Sequence, residues 1–352
     1  MNNQFRLKRE NFDIIDSSMT CMLFVVLESL FLLLFYALPV EFRAIPVVGL
    51  FASFGLEFMF ALAGFLTSSI RGVSFFKATK LNKKINWKIV GFTFLIAIIA
   101  VYGFSSLSNY FIMGLEELGY KTSLSNIAIP NVFSYLLYLV LVCAVPAVFE
   151  EICFRGCICA GLESKNKHFA VWFSAFIFMI MHGGPEQTIH QLILGVIFGY
   201  IFVYTQNLWV TILIHFFNNA VAVTMMFIQS LAQVEGASGD VAAVGFGDAT
   251  TLQILLSAMS GLIMAVTAGV LIYFLTKAIK KQLSKSDPEI EVQAEQNVSE
   301  NNEQDSESNI ALQNIEKSKN RTNNIIASIL FALAIGYMAY EWIIELIKGF
   351  LR

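Results

Sequence analysis

Three groups of polar and ionisable side chains stand inside stretches that are otherwise apolar: Glu150-Glu151 with Arg155, then His182, then His215 with Asn219. A charged group near the centre of a bilayer costs about 2.5 to 3.5 kcal/mol on insertion scales, so three helices carrying such groups imply that they pair around a shared, wet cavity. Glu151 and Arg155 are four residues apart and share a helix face, where an ion pair makes both tolerable. Glu150 is turned about 100° from that face. It is left without a local partner, as a general base requires. His215 and Asn219 share a face of another helix and can donate to one developing oxyanion, while His182 can share a water with Glu150. Either histidine alone reads more simply as a polar contact between helices. Two histidines, an asparagine and an unpaired glutamate together read as water-activating chemistry. His168 at a membrane boundary and His190 after the Gly183-Gly184-Pro185 break read as structural, and Gly195-x-x-x-Gly199 as a place where helices pack closely.

The elements that must position these groups are membrane helices. Of 352 residues, 57% are hydrophobic and 14% charged, which makes the chain a polytopic membrane protein. Apolar runs near the spanning length of about 20 residues fall at 19–40, 46–69, 88–107, 132–154, 169–184, 189–205, 208–228, 252–276 and 324–346. The sixth is short. The expected fold is therefore an all-α, polytopic transmembrane helix bundle of eight or nine spans with a disordered acidic cytoplasmic linker. Its parts are N-terminal transmembrane helices at 1–131, a catalytic membrane core at 132–276, the linker at 277–323 and a C-terminal transmembrane helix at 324–352. The linker reading rests on Asp287 to Ser308, which holds eight Asp or Glu, no Lys or Arg, and much Gln, Asn and Ser.

Charge sets the expected orientation. Arg71, Lys77, Lys80, Lys83, Lys84 and Lys88 crowd the loop after the second span, whereas Gln229 to Thr251 has no Lys or Arg. With the basic loop inside, the N-terminus, Lys165 and Lys167, and Lys277, Lys280, Lys281 and Lys285 all become cytoplasmic. The first span lacks an Ala-x-Ala-like cleavage site and reads as a retained anchor. Cys21, Cys143, Cys153, Cys157 and Cys159 lie in or beside apolar helices, without the paired spacing of a zinc site, and read as small packing residues.

At these residues the chain resembles the CPBP family of CAAX proteases and bacteriocin-processing enzymes, also called the ABI family. The resemblance is carried by ordered motifs: Glu-Glu-x-x-x-Arg at Glu150, Glu151 and Arg155, Phe-x-x-x-His at Phe178 and His182, and His-x-x-x-Asn at His215 and Asn219. It covers about 132–225. It implies intramembrane peptide-bond hydrolysis, with Glu150 and His182 activating water, His215 and Asn219 holding the oxyanion, and Glu151, Arg155 and Phe178 supporting the site. The implied partners are a membrane-associated peptide or protein substrate and the lipid bilayer, with no nucleic acid. No cofactor is expected. The zinc alternative would use Glu150, His182 and His215 as two-His, one-Glu ligands, but no His-Glu-x-x-His helix is present and Asn219 would have no task in it. Two other classes fit some of the same residues: a non-catalytic bacteriocin-immunity or membrane scaffold protein of the same family, and a transporter with a Glu/His proton relay. Against the transporter, no internal repeat is evident.

Overall fold

The structure is a computed structural model that describes residues 8–85, 87–122, 129–234, 251–286 and 307–352. Nine long helices occur among them: α1 Ile14–Tyr36, α2 Pro46–Arg71, α3 Trp87–Glu117, α4 Val132–Glu163, α5 Lys167–Met181, α6 Thr188–Thr205, α7 Leu208–Val234, α8 Thr251–Ser286 and α9 Glu307–Leu351. The protein is a multi-pass membrane helix bundle. Eight of the helices, or segments within them, are long and apolar enough to cross a membrane.

The exception is the fifth expected span, not the short sixth. At 15 residues, α5 is about 22 Å long at about 1.5 Å per residue, less than the ~30 Å of a hydrocarbon core. Its end is set by Gly183, which takes the left-handed φ of 66° that side chains disfavour, followed by Gly184 and Pro185. The linker bounds also change. Helix continues through 277–286, where Ile279 and Leu283 are buried against the bundle, and resumes at Glu307; Lys, Gln, Ala and Leu all favour helix. The stretch 287–306 lies outside the described residues.

Helix α4 is central, packing against α1, α2, α5, α6 and α7. It is not a regular α-helix. Leu139–Ala144 and Ile152–Cys159 are wide π-helical turns on either side of an α-helical segment that holds Pro146 and the glutamate pair. Such turns recur at functional sites. Helices α5 and α6 approach closely through the expected glycines: a Cβ at Gly195 would lie 2.9 Å from the Ala175 Cα, and one at Gly199 2.9 Å from Val171. All five cysteines are buried and free, as small packing groups would be.

The basic segments collect at one end of the bundle. Asp13 caps α1 and forms a reciprocal capping box with Asp16. The buried Asp16 carboxylate takes hydrogen bonds from Arg9 at 3.0 Å and Arg71 at 2.8 Å, tying the N-terminal segment to the end of α2. The Asn207 amide donates to the Lys84 carbonyl and the Trp209 indole to that of Leu81, both at 3.0 Å. Gln206 reaches Glu163 at 3.0 Å, and Lys280 lies over the Tyr204 ring. The N-terminal segment, the loop after α2 and the turns after α4 and α6 thus share one face with the end of α8.

Candidate active site

The α-helical turn of α4 presents Glu150 and Glu151 to the bundle interior, and Arg155 follows on the π-helical turn. As the four-residue spacing predicts, Arg155 donates to Glu151 Oε1 at 2.7 Å. Both are fully enclosed, at 1% and 0% exposure. The guanidinium also lies over Phe178, 4.4 Å from the ring centre, and over Phe198. Phe178 is therefore a wall that holds the cation in place.

Glu151 has a second partner that local spacing could not reveal. His215, from α7, places Nδ1 3.0 Å from Glu151 Oε1. Because that oxygen already accepts from Arg155, His215 donates its Nδ1–H, and in the neutral ring Nε2 is left with its lone pair. Nε2 lies 3.8 Å from Glu150 Oε2. Glu150 is only 5% exposed, and that oxygen has no hydrogen-bond partner. Two acceptors at this separation can both receive from one water. His215 therefore stands beside the glutamates rather than apart from them with Asn219.

His182 falls at the end of α5 rather than within it. Its Nδ1 lies 2.7 Å from the Phe178 carbonyl, which can only accept, so this ring too donates Nδ1–H and keeps Nε2 available. The Phe178 ring contacts both imidazoles, with centroids 4.7 Å from His182 and 6.2 Å from His215. His168, in contrast, is paired with the Tyr200 hydroxyl at 2.9 Å.

Asn219 has a structural task that the sequence conceals. Pro146 has no N–H, so the Val142 carbonyl four residues earlier lacks the donor that a regular α-helix would bring to it. Asn219 Nδ2 donates to it at 3.3 Å. The neighbouring Asn218 is the more buried of the two, donates to Asn219 Oδ1 at 3.4 Å and has an unpartnered Oδ1. Its three-residue spacing from His215 also puts it on the histidine's side of α7, a signal available in the sequence. Glu57 and Glu28 were open to the same inference, being ionisable groups inside apolar spans. Glu57 carries a buried, unpartnered Oε2 and lies within electrostatic reach of Glu150.

The zinc alternative requires Glu150, His182 and His215 to converge. Among the described residues no three His, Cys, Asp or Glu side chains are grouped so that they could hold a metal ion. As placed, these groups do not form a three-ligand set.

The described fold and site define a membrane-embedded cluster of glutamate, histidine and asparagine around a buried ion pair. Residues 132–221, which contain all three motifs, match the family model described as type II CAAX prenyl endopeptidase Rce1-like. The chain is also similar to "Putative membrane peptidase YdiL" of Bacillus subtilis (strain 168), with 28% identity over 149 residues. That match covers 41% of this chain and 57% of the relative, so the chain spans little more than half of that protein. No solved structure matches. The family model and the relative support a CPBP-family protease, the resemblance that the motifs carry.

Proposed function

We propose that the protein is an intramembrane endopeptidase that hydrolyses a peptide bond of a membrane-associated peptide or protein with a water activated by protein side chains. The observation that carries this reading is His215 Nε2 and the unpartnered Glu150 Oε2, 3.8 Å apart in the bundle interior. Glu150 takes a proton from the water as the oxygen attacks the carbonyl, and returns it to the leaving amine. His215, oriented by Glu151 as that residue is by Arg155, holds the water. The second hydrogen on Asn219 Nδ2 is free to stabilise the oxyanion while the first stays on Val142. His182 supplies a further imidazole, its tautomer fixed by Phe178. No step needs a metal.

The charge distribution supports a cytoplasmic N-terminus and basic face, since Lys and Arg resist translocation. Peptides would then reach Glu150 from inside the cell. The experiment is substrate capture: a Glu150→Gln variant in native membranes should retain peptides that the wild type converts, identified by mass spectrometry. Retention of the same set by both proteins, with no cleaved products from the wild type, would favour a scaffold or immunity role.

A further inference from the structure

The end of α8 carries lysines that the hydrolytic site does not use. At about 100° per residue, Lys277, Lys280, Lys281, Ser284 and Lys285 fall within about 140° of arc and share one side of the helix. The adjoining side holds Thr276, Ile279 and Leu283, which are buried, the last two in the cluster that packs α8 against Ile89 and Ile96 of α3. Lysines that merely end a span reach water along separate paths. These converge instead: with Tyr204, at the end of α6, they and Ser284 line a cavity of about 570 Å³. Lys280 Nζ lies 4.2 Å from the centre of the Tyr204 ring, and Lys277 Nζ 4.7 Å from that of Tyr273.

The cavity is rich in donors and poor in counter-charge. No carboxylate lines it, and among the described residues none of its four lysines forms an ion pair. Their backbone positions span only about 12 Å of helix, so the ammonium groups repel one another and together favour an anion. The level of the cavity indicates which anion. The apolar run 252–276 is about 37 Å long, enough to cross the ~30 Å hydrocarbon core, and it delivers the lysines to the headgroup layer. On the side of α8 that carries the lysines, the preceding turns are apolar and open: Val266, Val270, Tyr273 and Phe274 are all exposed. A ligand that follows this surface is apolar along its length and anionic at its end. Free phosphate uses only the lysines, whereas a phospholipid uses both parts.

We propose that the cavity between Tyr204 and the α8 lysines binds the phosphate of an anionic phospholipid from the leaflet at the basic face, with an acyl chain lying along Val266, Val270 and Phe274. The site is separate from the glutamate–histidine cluster and does not depend on the protease reading.

The test titrates the full-length protein in detergent with phosphatidylglycerol, or with phosphatidylcholine of the same acyl chains, and measures bound lipid by native mass spectrometry. The wild type should prefer phosphatidylglycerol. A lysine near an anionic headgroup contributes about fivefold in affinity, so a Lys277→Gln, Lys281→Gln double variant should lower that preference by about 25-fold. Lys277→Arg with Lys281→Arg should retain it, and Lys165→Gln with Lys167→Gln, which removes equal charge elsewhere on the basic face, should leave it unchanged. Equal binding of the two lipids by the wild type would overturn the proposal. An equal loss in the Lys165, Lys167 variant would do the same, by showing a diffuse field in place of a site. Displacement of phosphatidylglycerol by an equal concentration of inorganic phosphate would make it a site for a free anion. Preference that emerges only after the eight Asp and Glu of 287–308 are changed to Asn and Gln would make that acidic stretch the occupant instead.

Discussion

Replacing Glu151 by Gln separates holding the site together from doing its chemistry. The change preserves shape and removes one charge. In the wild type Glu151 Oε1 takes the Arg155 hydrogen bond at 2.7 Å and the His215 bond at 3.0 Å, and Arg155 is 1% exposed. Breaking one side of a buried ion pair typically costs about 3 to 5 kcal/mol, because the other charge is stranded. Spread over 352 residues at about 2.1 cal/mol/K each, that lowers Tm by about 4 to 7 °C. A second change, Arg155→Met, should recover part of the loss by removing the stranded cation. Glu150→Gln should behave in the opposite way, abolishing activity with a change in stability below about 1 kcal/mol, since Glu150 Oε2 forms no hydrogen bond and faces other carboxylates. The assay is thermal unfolding in detergent by intrinsic fluorescence, with peptide cleavage measured on the same preparations. A Glu151→Gln protein with wild-type Tm and the same loss of activity as Glu150→Gln would refute the division of roles and make Glu151 a chemical participant.

Further predictions concern the rest of the site and the frame around it. His182→Ala and His215→Ala should each abolish cleavage at near-normal membrane expression, and activity within about threefold of wild type would remove that residue from the mechanism. Asn219→Ala should lose about 10²- to 10³-fold in rate if it donates to the oxyanion; if it serves only the Val142 carbonyl, it should instead cost about 1 to 3 kcal/mol of stability with the rate retained. Burial raises the Asp13 carboxyl, but its hydrogen bond to the Asp16 backbone, Arg9 and Arg71 outweigh this and hold it below the usual range. Its contribution to stability is therefore complete above about pH 3.9 and is lost as pH falls further. Asp13→Asn keeps a capping oxygen but no charge, so the stability difference from wild type should shrink between pH 5 and pH 3 on thermal melts, and a constant difference would contradict the charge role. A membrane-impermeant thiol reagent applied to intact cells should label Lys121→Cys and spare Lys84→Cys, the five native cysteines being buried; the reverse pattern would invert the proposed orientation.

What the sequence disclosed and what it withheld follow from the range of each interaction. The Glu151–Arg155 pair was legible because four residues make one helical step, and the lack of a partner for Glu150 followed from the same geometry. The tight packing at Gly195 and Gly199 was legible because only glycine permits it. The His215 contact with both glutamates was not, since it joins α4 to α7 and no local period encodes which helices meet. Asn219 kept its Val142 contact hidden for a similar reason: Pro146 removes the regular α-helical donor of Val142, but the asparagine that reaches that carbonyl comes from another helix. The brevity of α5 was readable in Gly183-Gly184-Pro185, yet the apolar run masked it. Glu28 and Glu57 were visible one by one.

The most direct test of hydrolysis by side-chain-activated water is to follow the oxygen atom. Purified protein in proteoliposomes is incubated with the membrane-anchored peptides in water enriched in oxygen-18, and the products are weighed by mass spectrometry. Wild type should release an N-terminal fragment whose new carboxylate carries one heavy oxygen, and Glu150→Gln and His215→Ala should release none. Cleavage by Glu150→Gln at the wild-type rate, or wild-type protein that cleaves no peptide in the set, would contradict the assignment.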